Sequence, residues 1–202
     1  MRRHVPSSSR RLGFSLAEAL IALSVMGLAG AAMLLATESA SMASRDALDQ
    51  LIANGLANQL VDEIMGLPYK EQGQAFDVWP MGTERGESAL PKLRSLYDDS
   101  DDFTGYYAQP VQDAWAIELG QGDGRGGVRH ANFRIAADYF DDWYVQIGVS
   151  YVDESDLSVN LSSSDTSGMR AVEVSVFRVD GKSRREVAKV RRVSSYVPPW
   201  GS

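Results

Sequence analysis

The sequence predicts an α+β protein in which a long N-terminal α-helix packs on a C-terminal antiparallel β-sheet. Three observations carry that expectation. An apolar run from Phe14 to Ala36 continues as far as Leu67 with helical spacing of its leucines and isoleucines. From Trp143 onward the apolar residues alternate with period two. Between two of these alternating stretches stands Asp180-Gly181, a pair suited to a tight hairpin turn.

The chain has 202 residues, enough for one ordinary domain plus an extra element. Hydrophobic residues make up 44% and charged residues 23%, the balance of a folded chain rather than a disordered one. Net charge is −7. The first thirteen residues hold Arg2, Arg3, Arg10 and Arg11 and no acid, so the remainder is more acidic still. An acidic body disfavours nucleic acid as a partner, because phosphate binding needs a basic surface. There is no cysteine, which excludes disulfides, thiol catalysis and cysteine-ligated metals.

The chain divides into a basic leader at 1–13, an apolar helix at 14–36, an amphipathic continuation at 37–67, an irregular segment at 68–142 and a sheet at 143–202. As a helix, Phe14 to Ala36 would span roughly 35 Å, enough to cross a hydrocarbon core of about 30 Å. The arginines precede it, which places the N-terminus in the cytoplasm and exports the body. Glu18 is the only ionisable side chain in the run. A carboxylate in lipid costs several kcal/mol and usually serves a function. A cleaved secretory signal, with Ser41-Met42-Ala43 as its small-residue site, fits the leader and the apolar core. A plain signal anchor fits them too. Neither accounts for Glu18.

Beyond the run, Thr37 to Ser44 is small and polar. Leu48, Leu51, Ile52, Leu56, Leu60, Ile64 and Leu67 then recur at steps of three and four, one face of a helix that ends at Gly66 and Pro68. Such a stripe requires a partner surface. The C-terminal sheet supplies it: "WYVQIGVSYV" turns Trp143, Val145, Ile147, Val149 and Tyr151 to one side, and "MRAVEVSVFRV" does so with Val172, Val174 and Val176. "REVAKVRRVSSYV" is the return strand, and its alternation slips between Val190 and Val193, which predicts a bulge or irregular pairing there. Leu157–Leu161 is a candidate edge strand. The segment 68–142 is too long for a bare loop. Short strands and turns are expected, pinned by Trp79, Tyr97, Phe103, Tyr106, Tyr107 and Trp115.

The residues "GFSLAEALIAL" resemble the prepilin-type cleavage and methylation motif of type IV pilins and type II secretion pseudopilins. That family has a short basic leader ending in glycine, a phenylalanine at the first mature position and a glutamate at the fifth. Those positions fall on Gly13, Phe14 and Glu18. The resemblance implies cleavage after Gly13 by prepilin peptidase and N-methylation of Phe14. It also implies a role for Glu18 in aligning the subunit with a neighbour's terminal amine. The implied product is a structural subunit, not an enzyme, held by one helix in the cytoplasmic membrane. Its implied partners are other pilin or pseudopilin subunits and the inner-membrane assembly platform, in a type IV pilus or a secretion pseudopilus. A long helix packed on a C-terminal antiparallel sheet is that family's architecture. "ANGLANQLVDEIMGLPY" looks most like minor subunits. The chain departs from many major pilins in having no proline between Phe14 and Leu67. The alternative from another class is an exported or membrane-anchored enzyme or binding protein.

Other chemical signals are weak. His4 lies in the leader, and His130 has no surrounding motif for a serine–histidine–acid triad. "GQGDGRGG" is glycine-rich but has neither the lysine of a phosphate loop nor a flanking strand and helix, and "DGKS" has the Gly-Lys-Ser letters but sits in a hairpin with no upstream glycine. "DDSDDF" is the candidate metal site: Asp98, Asp99, Asp101 and Asp102 could offer oxygens to calcium, which some pseudopilins bind in the globular domain. The run lacks the spacing and distal glutamate of an EF-hand loop, and a solvated acidic loop is the simpler reading.

Overall fold

The computed structural model describes residues 15–84, 87, 93–162 and 164–198. It is an α+β arrangement of one long helix and a four-stranded antiparallel sheet. Helix α1 runs from Leu16 to Met65. The strands are β1 (Tyr107–Ala108), β2 (Trp143–Tyr151), β3 (Met169–Asp180) and β4 (Ser183–Ser195), in spatial order β1-β2-β3-β4. The chain forms two compact units, Met1–Ala47 and Leu48–Ser202.

In the first unit, every described residue is exposed, including Leu20, Ile21, Leu28, Leu34 and Leu35. From Ala19 to Ala36 the helix carries no charge on any side, and it is long enough and hydrophobic enough to cross a membrane. Ser24 and Thr37 turn their hydroxyls back to the carbonyls of Leu20 and Met33, which satisfies them without water.

In the second unit, the helix is one-faced. Ala53, Leu56, Ala57, Leu60, Val61 and Ile64 are buried in one core with Val145, Ile147, Val149, Val172, Val174 and Val176 from the sheet. Burying each of Leu56, Leu60 and Ile64 contributes about 1.5–3 kcal/mol. The stripe differs from the expected one at its start. Leu48 and Leu51 are exposed, at 52% and 71%. At 100° per residue, Leu51 falls roughly 150° around the helix from the buried residues. Ala53 and Ala57 are buried in the core instead.

The strand register follows the alternation. Val145, Ile147 and Val149 pair with Val176, Val174 and Val172, all on the core face. The hairpin turn is Gly181-Lys182, one residue later than the expected pair, since Asp180 pairs with Ser183. Gly181 has φ +58°, the positive φ that a type II′ turn needs at its first central residue. The bulge falls elsewhere too: Val176 pairs with Ala188 and Phe177 with Glu186, which leaves Val187 as the extra residue. Val190 to Val193 pairs regularly. The alternation slips because Arg192 occupies a core-face position at the sheet edge, opposite Val172, and reaches Asp62 and Asn58 on the helix. Leu157–Leu161 forms a single bridge, Val152 to Asn160, rather than a strand.

The segment between helix and sheet is built of 3₁₀ turns at Arg94–Leu96, Asp101–Phe103 and Ala131–Phe133, plus β1. Of the six aromatics expected to pin it, Tyr97, Phe103 and Tyr106 are buried and pack edge-on or tilted against one another. Trp79, Tyr107 and Trp115 are exposed.

Two substitutions on one helix separate the true stripe from the apparent one. Leu60→Ala should lower the stability of the body by about 2–5 kcal/mol, and Leu51→Ala should change it by no more than about 0.5 kcal/mol. Urea unfolding of the detergent-solubilised chain, followed by tryptophan fluorescence, measures both. Equal losses would mean that the buried face is misassigned.

Candidate functional site

The charged start of the apolar helix is the first candidate. Gly13 and Phe14 lie outside the described residues, and Glu18 lies within them. Ser15 stands just before the helix, and the two side chains bond reciprocally. Glu18 Oε2 accepts from the Ser15 amide and from its hydroxyl, both at 2.9 Å. The Glu18 amide donates to Ser15 Oγ at 3.2 Å. This is a capping box, which occupies helix-end amides that have no partner inside the helix. Its negative charge also complements the positive end of the helix dipole. Sequence reasoning singled out Glu18 but missed Ser15. The signal was present as Ser-x-x-Glu ahead of an apolar run.

Both members of the box lie C-terminal to the bond between Gly13 and Phe14, so cutting that bond leaves the box intact. The second oxygen of Glu18, Oε1, accepts no hydrogen bond among the described residues. The site therefore holds a carboxylate that is anchored through one oxygen and open at the other, in a helix segment with no water-soluble face.

The acidic run Asp98–Asp102 is the second candidate, and the structure divides it. Asp98 is exposed. Asp101 is buried and bonds Arg170 Nη1 at 2.8 Å. Arg170 is itself 1% exposed. It also donates to the Tyr69 carbonyl and to the Tyr151 hydroxyl, and it lies over the ring of Tyr69. Asp99 Oδ1 accepts from the Asp101 amide at 2.8 Å. Burial and the neighbouring Asp101 push the Asp99 carboxyl up to about 8. Asp102 accepts from the amides of Asp98 and Asp99, and its carboxylate lies together with those of Glu84 and Glu87. The four aspartates thus serve different partners, and Asp101 has structural work as the counter-ion of a buried arginine.

A second buried arginine, Arg94, makes a forked pair with Glu63 on the helix, at 3.0 and 3.3 Å. It also donates to the Tyr106 hydroxyl and the Gln112 carbonyl. Neither arginine was marked by sequence pattern. His130 is exposed, and its Nδ1 accepts from the Asn132 amide at the start of a 3₁₀ turn. In the glycine-rich stretch, Asp123 Oδ1 accepts from the amides of Arg125 and Gly127, which closes a local turn.

Comparison with protein families, with curated proteins and with solved structures found no match to this chain.

Asp101→Asn should destabilise the body by about 3–5 kcal/mol, since it leaves a buried guanidinium without its carboxylate. Asp98→Asn, at an exposed position, should cost no more than about 0.5 kcal/mol. Chemical denaturation of both variants checks this. A small effect at Asp101 would mean that the neutral acceptors around Arg170 suffice.

Proposed function

We propose that this chain is a pilin-like structural subunit, inserted in the cytoplasmic membrane through α1 and built into a type IV pilus or a type II secretion pseudopilus. The observation that carries the reading is a helix, apolar on every side, whose first turn holds a half-open carboxylate directly after a basic, glycine-ended leader. The leader arginines keep the N-terminus cytoplasmic, and the body is exported. Prepilin peptidase cuts after Gly13, and Phe14 is methylated.

Cleavage creates an ammonium group at Phe14, about one helical turn from Glu18. The capping box already engages Oε2, so the exposed oxygen is the one that meets a second charge. In a water-poor setting, a carboxylate and an ammonium attract strongly. The amine of a neighbouring subunit supplies that charge and sets its axial position along the helix bundle. The apolar surface, uncovered in the single chain, is then shared between lipid and the helices of other subunits. Gly27 and Gly30 leave open space on that surface, which small residues provide where membrane helices pack closely. The body carries the loose resemblance to minor subunits. Its role is structural rather than catalytic.

Two variants test this in cells that carry the assembly machinery. Gly13→Val should accumulate as an uncut membrane precursor, because a branched side chain blocks close approach at the scissile bond. Glu18→Gln should be cut and inserted normally, yet enter filaments or tip complexes at least about tenfold less well, a loss of about 1.4 kcal/mol. Immunoblotting of membrane and sheared-filament fractions reads both. Efficient cutting of Gly13→Val would contradict the assignment. Unchanged incorporation of Glu18→Gln would leave helix capping as that residue's whole role.

A further inference from the structure

We propose that Glu84, Glu87 and Asp102 form a calcium site, which ties the segment after the helix to the 3₁₀ turn Asp101–Phe103. One oxygen from each carboxylate lies within 4.8 Å of the other two. Oxygens sharing one calcium at about 2.3–2.6 Å can stand at most about 5 Å apart, so the three fit around a single ion.

The way each carboxylate is held supports the assignment. Asp102 is 2% exposed. Its Oδ2 accepts from the amides of Asp98 and Asp99, at 3.0 and 3.2 Å. Its Oδ1 is buried with no hydrogen-bond partner. Glu84 repeats the pattern: Oε1 accepts from Gln74 Nε2 at 2.7 Å, and Oε2 is buried without a partner. Glu87 is oriented by the Glu84 amide, which donates to its Oε2 at 3.1 Å. Backbone and side-chain donors thus fix each carboxylate through one oxygen, the arrangement by which outer-shell groups orient metal ligands. The unpartnered oxygens of Asp102 and Glu84 belong to the three converging groups. A buried acceptor without a donor is costly, and two of them among like charges are more so. A divalent cation removes both penalties at once.

The electrostatics agree. Burial pushes the Asp102 carboxyl up to about 7, against the two amides that favour its charged form, and Glu87 beside it raises it further. Burial raises Glu87 as well. The donor set is all oxygen, with no histidine or sulfur, which selects a hard ion. Adjacent Asp101 is neutralised by Arg170, so the ion and the arginine hold the same turn through different carboxylates. The sequence run Asp98–Asp102 contributes one residue, and two glutamates from an earlier stretch complete the site.

The test uses the full chain in detergent, stripped with EDTA. Calcium titration by calorimetry should show one site, and calcium at 1 mM should raise the thermal midpoint of the body by about 5 °C or more. Terbium in place of calcium should give sensitised emission on tyrosine excitation, since Tyr97 is near Asp102. Asp102→Asn and Glu87→Gln should each weaken binding about tenfold or more. In EDTA both should melt no lower than the parent chain, because each relieves repulsion. Asp156→Asn, an exposed acid elsewhere, should bind as the parent does. No calcium effect on the parent would overturn the site. Equal weakening by all three variants would do so as well, since it would mean diffuse adsorption to an acidic surface. If Asp102→Asn fails to fold, Glu87→Gln decides between the same two outcomes.

Discussion

A helix must have its apolar surface covered, and α1 meets that constraint in two ways along one chain segment. From Ser15 to Leu48 every described side chain is exposed, and as far as Ala36 the residue types suit lipid or other apolar helices, apart from Glu18. From Ala53 to Ile64 one face is sealed by the sheet. The second half is also gripped at its margins by charge. Asp49 faces Arg178 at 3.4 Å, Asp62 bonds Arg192, and Glu63 forks with Arg94. The exposed Asp62–Arg192 pair is worth at most about 1 kcal/mol. Arg94 matters more, because a buried guanidinium must keep its partners.

The segment between helix and sheet contains little regular structure, so its order depends on a few buried polar centres. Arg170 sits at the end of β3 on the core face and collects oxygens from Tyr69, Ser100, Asp101 and Tyr151. Those acceptors come from three separated stretches. Arg94 does the same for Glu63, Tyr106 and Gln112. Each arginine therefore stands in for the ladder hydrogen bonds that a strand would have provided. Asp102, which groups with Glu84 and Glu87, directly follows the Asp101 that pairs with Arg170.

The parts legible in the sequence were those written in local period. β2 and β3 were visible because apolar residues alternate along them, from Trp143 to Tyr151 and from Val172 to Val176. The extent of α1 was visible because glycine and proline end it at Gly66 and Pro68. Leu51 misled because three- and four-residue steps drift around a helix, and small residues such as Ala53 carry no hydrophobic signal of their own. The slip at Arg192 looked like a bulge because alternation records polarity, not direction, and an inward arginine paired with the helix breaks the pattern without breaking the register. Arg94, Arg170 and the glutamates near Asp102 were not legible at all. Their partners lie many residues away, and nothing local distinguishes a buried arginine from a surface one. At the candidate site, Glu18 stood out as a charge in an apolar run, whereas Ser15 did not, because a serine there raises no conflict.

The central claim is that the first turn of α1 is a processed, charged helix end and not the middle of an ordinary signal. Mass spectrometry of the N-terminal peptide from the membrane-bound chain tests it most directly. The account predicts a chain that begins at Phe14 and carries one methyl group on its amine. A chain beginning near Ser44, or one retaining Met1 and the leader, would contradict it.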